Sequence, residues 1–197
     1  GAGLSRLARM RDAHLPFVRV AAPIVRELAL ETGETVHLSE FSAGALLTVH
    51  VELSARANRV SVDVGQILPL HGTASGIAFL AFSRPETVEV HFAKPLTAFT
   101  QHTMTSREEV MQAVRLAATR GYSRSAQGYE EGVHSVAAPI LGSDGFPVGT
   151  LAVASPLSRI DDAIAERQGQ AARDAGRRIS AELTGEQWHA SLPLRQR

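Results

Sequence analysis

The 197-residue chain has no cysteine. Disulfides and thiolate metal sites are therefore excluded, and the composition is compatible with a cytosolic compartment. There is no excess of either charge: Lys plus Arg total 20 and Asp plus Glu total 20. A surface that binds nucleic acid through phosphates needs a basic surplus, so nothing here supports DNA binding by this chain itself. No apolar run approaches the roughly 18 residues of a membrane span. No basic stretch leads into an apolar core at the N-terminus, so no signal peptide is expected. Internal repeats and low-complexity tracts are also missing. What remains is a chain that is 44% hydrophobic, enough for one domain with a substantial core.

Periodicity orders that core. Leu4, Leu7 and Met10, then Leu15, Val18, Ala22, Val25, Leu28 and Ala29, recur at helical spacing up to about Thr32. Pro16 suits a helix start, Pro23 predicts a kink or interruption, and Gly33 a stop. Thr35–Phe41 and Ala45–Leu53 read as strands joined by a turn at Ser42-Ala43-Gly44. The alternation of Val60, Val62 and Val64 predicts a third strand. Thr73–Phe82 reads as helix, broken at Ser83-Arg84-Pro85. Ser106-Arg107-Glu108-Glu109 is a capping-box pattern that opens a helix ending at Gly121. Tyr122–Ala126, Val133–Leu141 and Val148–Ser155 read as strands, the last two joined across Ser143-Asp144-Gly145. Ser158 is placed as the cap of a final helix running to Leu183, with a loose tail after Gly185. The order implies an α+β fold, a mainly antiparallel sheet flanked by helices.

Candidate chemistry is sparse. No G-x-S-x-G elbow occurs around Ser75. His134 and Ser135 are adjacent in a strand and point to opposite faces, so one cannot simply activate the other. Eight histidines, His37, His50, His71, His91, His102, His134 and His189 among them, are scattered without H-x-x-x-H or H-E-x-x-H spacing. Catalytic residues, metal ligands and cofactors are accordingly expected to be none. The segment His71-Gly72-Thr73-Ala74-Ser75-Gly76 has a different use. Small side chains at a helix start expose backbone N–H groups where the helix dipole favours an anion, and a carboxylate would dock well. The alternative is a helix start packed close to the sheet. Small residues in Ala137-Ala138-Pro139 and in Thr150–Ser155 either admit a tightly packed helix or leave room for a ligand.

Leu68-Pro69-Leu70-His71-Gly72-Thr73-Ala74-Ser75-Gly76, Arg120-Gly121-Tyr122, Gly132-Val133, Ala137-Ala138-Pro139-Ile140, Asp144-Gly145, and Ser155-Pro156 with Arg159 occur in one order. This set, covering about Phe17 to Leu183, resembles the C-terminal effector-binding domain of IclR-type bacterial transcription regulators. The resemblance implies a GAF-like fold behind an N-terminal linker helix. Residues 1–16 would be the linker region, 17–184 the effector domain and 185–197 a flexible tail. It implies a small-molecule effector, often a carboxylic acid, and a homodimer or tetramer. Operator DNA would be reached only through a winged helix-turn-helix absent from this chain, with no membrane partner.

Carried over residue by residue, the expected effector contacts are Thr73, Ala74, Ser75, Gly76, Ser125, Ser135, Ala152 and Ala154. Regulators of small polar acids commonly place an acidic residue at the position of Ser125 and serine at Ala152 and Ala154. Their loss here implies a more apolar site and a larger, partly apolar or aromatic carboxylate. Whether Ala152 and Ala154 face the site depends on hairpin register, since a one-residue bulge swaps the faces. Two other readings stand beside this one. One is a hydrolase or isomerase using His71, His134 or Ser135; the other is a dimerisation module without a ligand.

Overall fold

The computed structural model describes residues 2–185, with side chains from residue 17 onward. The leading residues Leu4 to Leu15 lie in a helix whose side chains fall outside the described residues, as does the expected tail. Helix α1 (Ala2–Thr32) leads into the hairpin β1 (Thr35–Ser42) and β2 (Ala45–Glu52), then the short β3 (Ile67–Leu68). Helices α2 (Ala74–Phe82), α3 (Pro85–Phe92) and α4 (Arg107–Arg120) follow. Strands β4 (Ser123–Ala126), β5 (Val133–Leu141) and β6 (Pro147–Pro156), a 3-10 turn at Leu157–Arg159 and helix α5 (Asp162–Thr184) complete the chain. The strands form one antiparallel sheet in the order β3-β2-β1-β6-β5-β4. The fold is α+β, as the pattern of elements implied.

Strand alternation sends one set of side chains to each face. Val36, Leu38, Val136, Ile140, Leu151 and Val153 form one face, covered by Phe17, Ala21, Ile24, Val25 and Leu28 of α1 and by Ala172, Ala175 and Ile179 of α5. The other face receives α2. There the contact layer is made of alanines, with Ala74 and Ala78 against Ala137 and Ala152. Helices α3 and α4 close over the far side of α2 through Ile77, Leu80, Val88, Val110 and Val114.

Several expectations change. Pro23 does not break α1, which runs through it; burial of Ala21, Ile24 and Val25 on the sheet offsets the backbone bond that proline removes. Val60–Val64 is not a strand. Its alternation serves a loop in which Val60 is buried and Val64 is exposed, and the third strand forms instead at Ile67–Leu68 after the turn at Gly65. Ser158 sits in the 3-10 turn, and Asp161 caps α5 by accepting from the Ile164 N–H at 2.7 Å. After the break at Ser83, Pro85 starts the additional helix α3, a first-turn position where its missing N–H costs nothing. Ser106 caps α4 with the full capping box.

Candidate functional site

The start of α2 meets the sheet beside a cavity of about 540 Å³, counting its solvent-filled mouth. The register shows how the strands reach it. Thr35 of β1 lies opposite Ala154 of β6, Ala154 opposite Ser135 of β5, and Ser135 opposite Ser125 of β4. The next row is His37, Ala152, Ala137 and Ser123. The first row passes beneath the cavity; the second runs under α2. The hairpin does carry an irregularity, but between Ile140 and Leu141. The ladder beyond it holds Ala152 and Ala154 on the α2 face.

Six of the eight carried-over residues line the cavity: Thr73, Ala74, Ser75, Ser125, Ser135 and Ala154. The other two do not. Ala152 is packed among Ala74, Ala78 and Ala137. Gly76 is where α2 crosses the chain at Leu70; a Cβ there would stand 2.3 Å from the Leu70 backbone. Both alternatives for small residues are thus realised, close packing at Ala152 and open space at Ala154.

Polar groups converge at the helix start. Thr73 caps α2 by accepting from the Gly76 N–H at 2.9 Å, and its own hydroxyl donates to the Pro69 carbonyl. The first-turn N–H groups of Ala74 and Ser75 have no acceptor among the described residues. The hydroxyls of Ser75, Ser125 and Ser135 likewise make no side-chain hydrogen bond among them. Val60, Val62, Leu68 and Val133 supply apolar wall. This is the mix a small amphipathic ligand needs: apolar lining with a few convergent donors.

Sequence reasoning missed His37, Gln66 and Tyr129, all part of the lining. His37 was legible in principle. It alternates with the apolar Val36 and Leu38, which face the opposite side. Burial alone pushes its imidazole down to about 4, far below the ordinary 6.5. Tyr129 belongs to the 127–132 segment, whose position no local pattern reveals. A strap fixes that wall: the Thr100 hydroxyl donates to the Gln127 carbonyl at 2.6 Å and the Thr103 hydroxyl to the Gly128 carbonyl at 2.7 Å. Phe99 of the same strap meets the Tyr129 ring edge-on at 5.2 Å.

The geometry bears on the hydrolytic reading. His134 is opposite Ser155, which is bonded to Gln168 of α5, so His134 faces α5 while Ser135 lines the cavity. Nε2 of His71 is hydrogen-bonded to the Thr97 carbonyl at 2.9 Å. Neither imidazole is bonded to a serine among the described residues, so the pair that this reading needs is not formed at His71 or His134. Among the described residues no three His, Asp or Glu side chains converge as a metal site would require.

Comparison with known proteins is consistent with this architecture. Residues 13–181 match the family described as bacterial transcriptional regulator IclR, C-terminal. The transcriptional repressor IclR of Escherichia coli is 30% identical over 150 residues, 74% of this chain and 54% of that protein. The chain spans between 49% and 65% of the length of the first curated relatives it matches. The crystal structure of a putative IclR regulator from Silicibacter sp. TM1040 superimposes with a TM-score of 0.87 at 35% identity, covering 98% of this chain and 76% of that one. An IclR homologue from Microbacterium hydrocarbonoxydans, solved in complex with 4-hydroxybenzoate, has a TM-score of 0.79 at 25% identity, covering 93% of this chain and 74% of that one. No helix among the described residues is long and apolar enough to cross a membrane. The chain belongs to the IclR family of bacterial transcriptional regulators and corresponds to its C-terminal domain.

Proposed function

We propose that this domain binds a small carboxylate, aromatic or otherwise partly apolar, in the cavity at the start of α2. Occupancy then controls operator binding by a winged helix-turn-helix that lies outside this chain. The observation that carries the reading is the convergence of two free first-turn N–H groups and three serine hydroxyls on a wall that also carries Val60, Val62, Leu68 and Val133. The carboxylate sits on the donors at Ala74 and Ser75, where the helix dipole adds attraction. The apolar body lies along Val60, Val62 and Val133. A relative solved with 4-hydroxybenzoate supports this ligand class. The domain is a sensor rather than an enzyme, it works in the cytoplasm, and it assembles as a homodimer or tetramer. Coupling to DNA affinity would be worth about 1–3 kcal/mol, the usual range for linked sites.

The test is a thermal-shift screen of two- and three-carbon keto acids against benzoate and its hydroxylated derivatives. A ligand that binds the native state raises the melting temperature by mass action. Stabilisation by aromatic acids and not by the short acids is expected. Micromolar binding of a two- or three-carbon acid with none by aromatic acids would sink the ligand class. No shift with any carboxylate would favour a ligand-free dimerisation module.

A further inference from the structure

Among the described residues, the cavity wall contains no arginine and no lysine. Its one formally charged side chain is Glu130, which is exposed at the rim and has the wrong sign for an anion. A carboxylate seated there meets the start of α2, equivalent to about half a positive charge. A basic side chain in the wall would complete the compensation, because an uncompensated buried charge is costly.

Among the described residues, His37 is the one basic side chain in the lining. The residue is 6% exposed. Nδ1 is 3.5 Å from the Ser39 hydroxyl, a long contact, and Nε2 has no partner among the described residues. The elements around it bring few ionisable groups. From α2, β4, β5, β6 and the 60–66 segment the lining residues include none that titrates, and the register partner on β2 is Val51. The 127–132 segment brings Tyr129 and Glu130.

We propose that His37 is the counter-charge of this site: a carboxylate entering the cavity draws one proton from solvent onto Nε2, and the two are held as carboxylate and imidazolium. This rests on the carboxylate reading above. No bond is made or broken apart from the proton's; it leaves the buffer and arrives on the ring. Burial keeps the imidazole neutral in the free protein at neutral pH. An anion beside it reverses that preference, because an opposite charge within a few ångströms favours the protonated form. Binding and proton uptake are then linked. Affinity rises as pH falls, by up to about tenfold per unit between the free and ligand-bound pKa values. A serine-only site for the same acid has no such slope.

The experiment is titration calorimetry of the 197-residue chain with 4-hydroxybenzoate and, as the neutral counterpart, 4-hydroxybenzamide. Each is run at about pH 6 in two buffers of different ionisation enthalpy. The buffer dependence should report about one proton taken up per acid bound and none per amide. Across about pH 5.5 to 7.5 the acid should lose affinity by up to about tenfold per unit, while the amide stays level. His37→Gln should abolish uptake and flatten the profile; its melting temperature shows whether it is folded. Should it fail to fold, the buffer comparison on the unaltered chain decides alone. Acid binding with no net uptake anywhere in the range, or undiminished uptake by folded His37→Gln, overturns the role of His37 and leaves the carboxylate reading standing. Binding by neither compound, nor by benzoate, overturns both.

Discussion

Single residues decide whether a small-residue stretch becomes packing or pocket. Gly76 and Ala152 were expected in the site, yet both belong to the contact between α2 and its surroundings. Their neighbours Ser75 and Ala154 line the cavity. Residue type cannot separate these cases, because both uses require a short side chain; only the position of Leu70 and of α2 does. Gly76→Ala is expected to lower stability by about 2–3 kcal/mol, since a Cβ 2.3 Å from the Leu70 backbone forces the helix start to move. Urea denaturation measures it, and an unchanged midpoint would mean that the crossing is looser than described. Glu34 shows a similar dependence on distant partners. It is buried, and three bonds hold it: from Arg56 at 2.8 Å and from Arg159 at 3.0 and 2.7 Å. Nothing local to Glu34 announces a partner 125 positions away.

At the scale of elements, local signals were readable where local chemistry governs. The capping box at Ser106 and the left-handed Gly121 bracket α4 where the pattern placed them. Replacing Ser106 by alanine should cost about 1 kcal/mol, read as a lower thermal midpoint, because the Glu109 N–H loses its acceptor in the first turn. Misreadings arose where tertiary contacts override the pattern. The alternating valines at 60–64 imitate a strand, but the buried Thr35 hydroxyl captures the Val60 carbonyl at 2.7 Å and the segment becomes cavity wall. Pro23 is tolerated because α1 is pressed onto the sheet. The face on which Ala154 lies could not be read before the ladder register was known, since a slip of one residue reverses every side chain.

For the whole molecule, buried histidines set the response to acid. His37 is lowered to about 4 by burial. His91 is lowered by burial and then by His71, and His134 by burial and then by Arg124. In the unfolded chain all three take up protons near 6.5. Stability is therefore complete above about pH 6.5 and falls as pH drops toward 4. His37 alone accounts for on the order of 3 kcal/mol across that window, at about 1.4 kcal/mol per pH unit. Urea midpoints at about pH 7.5, 6.5 and 5.5 check this: a plateau above and a decline below are expected, and a level profile would contradict it. The strap of Thr100 and Thr103 has a consequence of another kind. The two carbonyls it pins are neighbours on the wall that carries Tyr129, so a hydroxyl lost from residue 100 or 103 is felt 27 or 25 positions further along the chain. Thr100→Val with Thr103→Val should speed amide hydrogen exchange across 127–132, and unchanged exchange there would count against the strap.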